Sequence, residues 1–428
     1  NITIPETLHC IYSSIAPLAM TMGCLFSGTV SDALGRRKGQ FLLVIPYSLA
    51  WVIMGLAKNN TVMLVGRFIT GICTGAVRPL TIVYIGELTT PKYRSITLFV
   101  PSMAIHVGSF ISHTVGKYVY WRTSCYLFII PNLICVLTLL FLKESPLWLI
   151  TNGKVDEGIE SFKLFRGVDE DSQKELDSVL EKNKNKEDQS SFRESLALVF
   201  SRPFFKSLNI IFWIFVAVQW CGINNLSFYA QDIYEKTFFG RIDSFMLMLV
   251  TDAIRVIASI FVCIFAQRLP RKMSFLISCY GTIIVLVLLV IDLYLSPESL
   301  VGLAVALTIM YLAISSLISC TSWAFIAEIF PSKVRGFGSG LSSAISFVLL
   351  FSSVQTTPSI MSAYGPAAMY AIFAAITLLA TIFLQFILPE TNGRTLQDIE
   401  NTMFKDKKDK SLNNITSDRN QIQAEQSV

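Results

Sequence analysis

Long apolar runs alternate with short polar connections along nearly the whole chain. A run of about 20 apolar residues is long enough to cross the hydrocarbon core of a bilayer as a helix. Eleven such runs are read, at 11–30, 41–57, 62–86, 97–119, 122–142, 206–230, 244–266, 273–295, 300–326, 337–360 and 366–388. Two stretches interrupt the rhythm: residues 143–205 are hydrophilic, and residues 389–428 stay polar to the end. The pattern predicts an all-α polytopic membrane protein. Its expected organisation is a first half-bundle over 1–142, an intracellular helical loop over 143–205, a second half-bundle over 206–388, and a disordered cytoplasmic tail over 389–428.

One helix-end device occurs in both halves. An apolar run closes on Glu87, a Pro follows at 91, and Arg94 opens the next run; Glu328, Pro331 and Arg335 repeat the order. Well-separated copies of one device are the mark of a duplicated bundle, a common construction among transporters.

Composition agrees with the pattern. The 428 residues are 53% hydrophobic and 15% charged, with mean hydropathy +0.56. A soluble chain carries nearer ~25% charged residues, so a soluble enzyme is excluded. The net charge of +5 is not a nucleic-acid signal, because it follows the membrane. With residue 1 outside, the four short inner connections hold Arg36, Arg37, Lys38, Lys92, Arg94, Arg268, Arg271, Lys272, Lys333 and Arg335. The outer ones hold Lys58, Lys117, Arg122, Lys236 and Arg241. Ten against five fits the positive-inside rule, and it places both the 143–205 loop and the C-terminus in the cytoplasm.

Candidate chemistry is sparse. Most of the nine cysteines lie inside apolar runs and read as small buried residues. His9, His106 and His113 are too far apart in sequence to suggest a ligand motif, and no nucleophilic set or phosphate loop is evident. No catalytic residue, cofactor or metal is expected. Asn1-Ile2-Thr3 and Asn59-Asn60-Thr61 are glycosylation sequons on the outer side. Small residues at Gly23, Ser27, Gly28 and Ser31 suit close helix packing in lipid. Asp32 then ends the first run, and a turn at Gly35 presents Arg36, Arg37 and Lys38; Gln267 to Lys272 echo this weakly in the second half, with Pro270 where Gly35 stands.

An ordered set of motifs adds identity to this reading. The set is Asp32 with Gly35-Arg36-Arg37, Gly66-Arg67, Glu87 to Arg94, Glu144-Ser145-Pro146-Leu147-Trp148, Gln219 with Gly222-Ile223-Asn224, Trp323 to Gly336, and Pro389-Glu390-Thr391. In this order it resembles the sugar porter family of the major facilitator superfamily, with the flavour of its insect facilitated trehalose transporter-like members. The resemblance runs from residue 11 to about 400. It implies two six-helix halves, with residues 11–30 as the family's second helix, so that this sequence holds eleven of the twelve transmembrane helices and lacks the first.

The resemblance also implies roles. Asp32, Arg36, Arg37, Glu87, Arg94, Glu144, Glu328, Arg335 and Glu390 would form an inner gate, pairing across the halves when the inner side is shut. Gln219, Asn224 and Trp323 sit where the family binds sugar; amides match hydroxyls, and an indole face covers the ring. Gly222 would let the seventh family helix unwind beside Asn224. Other family positions have changed: Val218, Ser102, Ser315 and Ser346 replace larger polar or acidic residues, with Ser102 and Ser346 kept as substrate-site candidates. Arg255 replaces a family Asn, and Arg78 is a second arginine within a run. A mid-membrane Arg costs about 2.5–3.5 kcal/mol on insertion scales, so Arg255 must face a partner, a cavity or an anionic substrate. Asp252, three residues earlier, is an equally good intrahelical partner.

The leading expectation is a carrier of a hexose or trehalose-like sugar across the plasma membrane by alternating access, as a facilitative uniporter. The alternatives are a carrier of an anionic or other non-sugar solute and a non-transporting sugar sensor.

Overall fold

The computed structural model describes residues 6–184, 201–265, 270–295, 301–330 and 335–390. Among these the chain is helical throughout. The first group of helices comprises α1 (Glu6–Leu34), α2 (Arg36–Gly55), α3 (Asn60–Leu88), α4 (Pro91–Tyr118), α5 (Trp121–Leu127) and α6 (Ile129–Phe141). Three short helices follow, α7 (Pro146–Thr151), α8 (Val155–Arg166) and α9 (Glu170–Lys184). The second group comprises α10 (Arg202–Trp220), α11 (Asn225–Phe228), α12 (Ala230–Phe238), α13 (Ser244–Phe265), α14 (Arg271–Leu295), α15 (Val301–Ile329) and α16 (Arg335–Ile387).

Nine of the described helical stretches are long and apolar enough to cross a membrane. Two features extend that number to the eleven runs read from the sequence. In α16 the backbone turns at Gly365, where φ is 81°, so this one element makes two passes. The run at 206–230 is divided among α10, α11 and α12 and makes another. In a bilayer each backbone polar group must be satisfied within its own helix, which is why apolar runs of this length become helices and not loops. The lipid-facing stripes are visible in α6, where Ile130, Leu133, Ile134, Leu137 and Phe141 are all exposed at three- and four-residue spacing.

Within the first group α1 and α3 pack by backbone approach. A Cβ at Gly23 would lie 2.0 Å from the Ile72 carbonyl oxygen, and one at Gly75 would lie 2.1 Å from that of Met20. Only glycine permits that contact, which is the packing device of helices in lipid. Gly28, expected to share it, has nothing within 4 Å of such a Cβ.

The two groups meet along α1 with α16 and along α4 with α13 and α15. Phe99 of α4 joins Val262, Cys263, Cys320 and Ala324 in one apolar cluster across this seam, and Ser14 of α1 donates to Gln355 of α16. The polar loop forms its own small core of Ile150, Phe162 and Leu176. Residues 185–200 and the tail beyond Glu390 lie outside the described residues.

Candidate functional site

The arginine-rich end of the first group is organised by two carboxylates. Glu144 follows α6 and turns back beneath the start of α2. Its Oε1 accepts the backbone N–H of Arg36 at 2.7 Å, of Arg37 at 2.9 Å and of Ser145 at 3.0 Å, and its Oε2 accepts that of Lys38 at 3.2 Å. The first N–H groups of a helix have no partner inside it and carry a positive end-charge, so a carboxylate there satisfies both. Glu87, at the end of α3, is gripped by the Arg36 guanidinium through Nε at 2.9 Å and Nη2 at 3.0 Å. It also accepts the Ser145 hydroxyl. Arg36 reaches the Ser31 carbonyl at 3.1 Å and Asp32 at 3.4 Å, and the Trp148 indole donates to the Asp32 carbonyl at 3.0 Å. Arg37 donates to the carbonyls of Leu139 at 2.7 Å and Leu140 at 3.1 Å, at the close of α6. Arg166 of α8 ties the loop in, donating to the Glu87 carbonyl and pairing with Glu175.

The second group carries the counterpart. Glu390 accepts the backbone N–H of Arg271 at 2.9 Å and of Lys272 at 3.2 Å, capping α14 as Glu144 caps α2. The cross-bundle pairing expected of the inner-gate residues is not among the bonds described. The bonds described for Asp32, Arg36, Arg37, Glu87 and Glu144 all stay within residues 31–166. Glu144 and Glu390 each stand directly under a helix start of their own group. The side chains of Arg94, Glu328 and Arg335, and all of Gln267 and Arg268, lie outside the described residues.

Three of the sequence-predicted substrate residues, Gln219, Asn224 and Ser346, meet at the end of α10. Helix α10 ends at Trp220, and Gly222 takes φ 90°, the break expected there. A side chain at Gly222 would also collide with Phe373, 2.4 Å from an ideal Cβ. The break frees the Cys221 carbonyl, which accepts the Tyr311 hydroxyl at 2.6 Å. It also folds Asn224 back so that its amide donates to Gln219 at 2.6 Å, while Gln219 donates to Ser346 of α16 at 2.8 Å. The next residue, Asn225, donates to Ser353 at 2.6 Å. Trp323 of α15 lies between Phe215 and Phe347, with ring centroids 5.0 and 6.3 Å away. Ser102 is buried on α4, one turn before the buried His106. A separate crevice lined by Phe99, Phe261, Val262, Leu317 and Thr321 is apolar and includes none of these residues.

Arg255 is buried, and its Nη1 contacts the Ser227 hydroxyl and, at 3.5 Å, Asp252 Oδ1. The intrahelical partner read from the sequence is therefore present but distant. The structure adds what spacing could not show: His113 of α4 reaches Asp252 across the seam, with Nδ1 and Oδ2 2.5 Å apart. The Arg78 guanidinium of α3 stacks on the Trp323 indole at 3.4 Å from the ring centre. Both contacts join helices far apart in sequence, and only the intramembrane position of these charges hinted at them.

Comparison with known proteins agrees with this arrangement. A profile described as sugar (and other) transporter matches residues 5–403. The facilitated trehalose transporter Tret1 of Polypedilum vanderplanki is 28% identical over 397 residues, covering 91% of this chain and 78% of that protein. The putative metabolite transport protein YncC of Bacillus subtilis is 28% identical over 411 residues, covering 91% and 85%. In fold, the chain resembles the proton:xylose symporter XylE bound to 6-bromo-6-deoxy-D-glucose, with TM-score 0.77 at 19% identity over 94% of this chain and 91% of that one. With residues 5–403 matched by the family model, the chain belongs to the sugar (and other) transporter family, and its fold is that of the major facilitator transporter XylE.

Proposed function

We propose that the protein moves a neutral or modified sugar, hexose- or trehalose-like, across the plasma membrane by facilitative alternating access. The observation that carries this reading is the broken helix at Gly222, which aligns Asn224, Gln219 and Ser346 as a chain of uncharged amide and hydroxyl groups beside Trp323. Such groups exchange hydrogen bonds with sugar hydroxyls without a charge to desolvate, and a broken helix near mid-membrane is a recurring substrate site in transporters. Arg255 and Ser102 are further candidates for the same site. The helix groups over 1–142 and 206–388 would rock about it as two half-bundles, with the 143–205 loop and the C-terminus on the cytoplasmic side. Arg36 with Glu87, together with Asp32, Arg94, Glu328 and Arg335, would hold the inner side shut.

The test is counterflow of radiolabelled glucose and trehalose, and of D-glucuronate and glucose 6-phosphate, in proteoliposomes containing the purified chain. Saturable exchange of at least one sugar, with KM raised about tenfold by Gln219→Ala, is expected from the loss of one buried hydrogen-bonding group. Absence of exchange with both neutral sugars and with D-glucuronate and glucose 6-phosphate, or an unchanged KM in the variant, would overturn the reading.

A further inference from the structure

The middle of the seam is charged in a way that neutral sugar does not require. Arg78 comes from α3, His106 from α4 and Arg255 from α13, and His106 lies within Coulombic reach of both arginines. Cys320 of α15, one turn before Trp323, is likewise within reach of both. Two of the three basic groups are almost fully buried with an unused donor or acceptor: Arg255 and His106 are each 4% exposed, and Arg255 Nε and His106 Nδ1 have no hydrogen-bond partner. Arg78 keeps part of its surface open. Among the described residues its one recorded contact is the Trp323 ring, with no ion pair or hydrogen bond.

Among the described residues the carboxylate bonded at this place is Asp252, and it is shared. Its Oδ2 is engaged by His113 at 2.5 Å, while its Oδ1 stands 3.5 Å from Arg255. Arginine stays protonated at any physiological pH, and a guanidinium in the membrane interior faces a partner or a water-filled path. The zone therefore carries more positive than negative charge. The Gln219–Asn224–Ser346 chain, by contrast, is uncharged and already disposed toward hydroxyls.

We propose that this site takes a sugar bearing an anionic group, a carboxylate or a phosphate, with Arg78 and Arg255 as the counter-charges. The inference rests on the sugar-transport reading and specifies its substrate. A ring approaching the Trp323 face meets the Arg78 guanidinium lying on it. A neutral ring has to displace that cation without replacing its partner. An anionic sugar gives Arg78 a charge-assisted hydrogen bond as it leaves the indole, and it engages the unused edge of Arg255 at the same time. The hydroxyls of the same molecule then reach the amide chain.

The experiment is equilibrium binding of radiolabelled D-glucuronate, glucose 6-phosphate, D-glucose, trehalose and lactate to the purified chain in nanodiscs. At least one anionic sugar is expected to bind about tenfold or more tightly than D-glucose, the scale of one added charged hydrogen bond. The two anionic sugars separate carboxylate from phosphate recognition. Arg78→Gln and Arg255→Asn are each expected to cut the anionic-to-neutral affinity ratio about tenfold, and Arg78→Lys to retain most of it. Gel-filtration profile and thermal midpoint establish that each variant is folded; should one arginine variant fail to fold, the other carries the comparison. Neutral sugars binding as tightly as both anionic ones would overturn the inference and leave sugar transport standing. Lactate binding as tightly as the anionic sugars would overturn the sugar part. No binding of any sugar, neutral or anionic, would overturn both readings together.

Discussion

The Glu144 and Glu390 corners are two versions of one joint. In each, a carboxylate just beyond the last spanning helix of its group accepts the first N–H groups of a helix that begins with arginine. The registers correspond: the Gly35 carbonyl accepts Gly39 N–H at 3.0 Å, and the Pro270 carbonyl accepts Ser274 N–H at 2.9 Å. Around the first joint the described residues add a further layer. In the first corner Glu87, Arg36, Ser145, Trp148 and Arg166 are woven around it. The joint itself survives with Pro270 in place of Gly35 and Gln267 in place of Asp32. The comparison teaches that the carboxylate cap is a structural clamp common to both groups, and that in the first group the Arg36–Glu87 pair is fastened beside it.

The largest expected effect comes from removing the clamp where it holds most. Glu144 is buried and accepts four backbone N–H groups. Glu144→Ala should destabilise the protein by about 3 kcal/mol, at a cost of 1–3 kcal/mol per stranded buried group, partly relieved by water. Glu390→Ala, at a less buried site, should lose less. Thermal midpoints in detergent measure both; a greater loss at Glu390 would reverse the comparison.

Next in size is the added layer. The Arg36 and Glu87 side chains are 13% and 15% exposed and bonded through two atoms each. A cycle of Arg36→Gln, Glu87→Gln and the double variant should give a coupling of about 2 kcal/mol. Coupling near zero would reduce the pair to an incidental contact. Arg37→Gln should cost about 1 kcal/mol, because the guanidinium sits on the last carbonyls of α6, where cations are favoured. The smallest effect belongs to Trp148→Phe, which deletes one hydrogen bond to the Asp32 carbonyl and keeps most of the ring. About 0.5–1 kcal/mol is expected, and a loss exceeding that of Arg37→Gln would show that the ring's packing outweighs its N–H.

The sequence by itself determined the number of passes, the polar loop with its short helices, and the break at Gly222, because each depends on residues near one another in the chain. A run of apolar residues in lipid becomes a helix whatever its neighbours are. A glycine beside Asn224 marks the unwound turn for a similar local reason. The Asp252–Arg255 spacing was legible on the same terms, as positions one turn apart on one helix face. Tertiary structure alone decided which charges meet across the bundle. It brought His113 to Asp252, Arg78 to Trp323, and Glu144 to Arg36, contacts between residues 139, 245 and 108 positions apart. Helical periodicity fixes the face a residue occupies on its own helix but not which helix packs against that face. A carboxylate at a helix end therefore reads equally well as a gate partner or a cap, and only the packed bundle showed that Glu144 and Glu390 are caps.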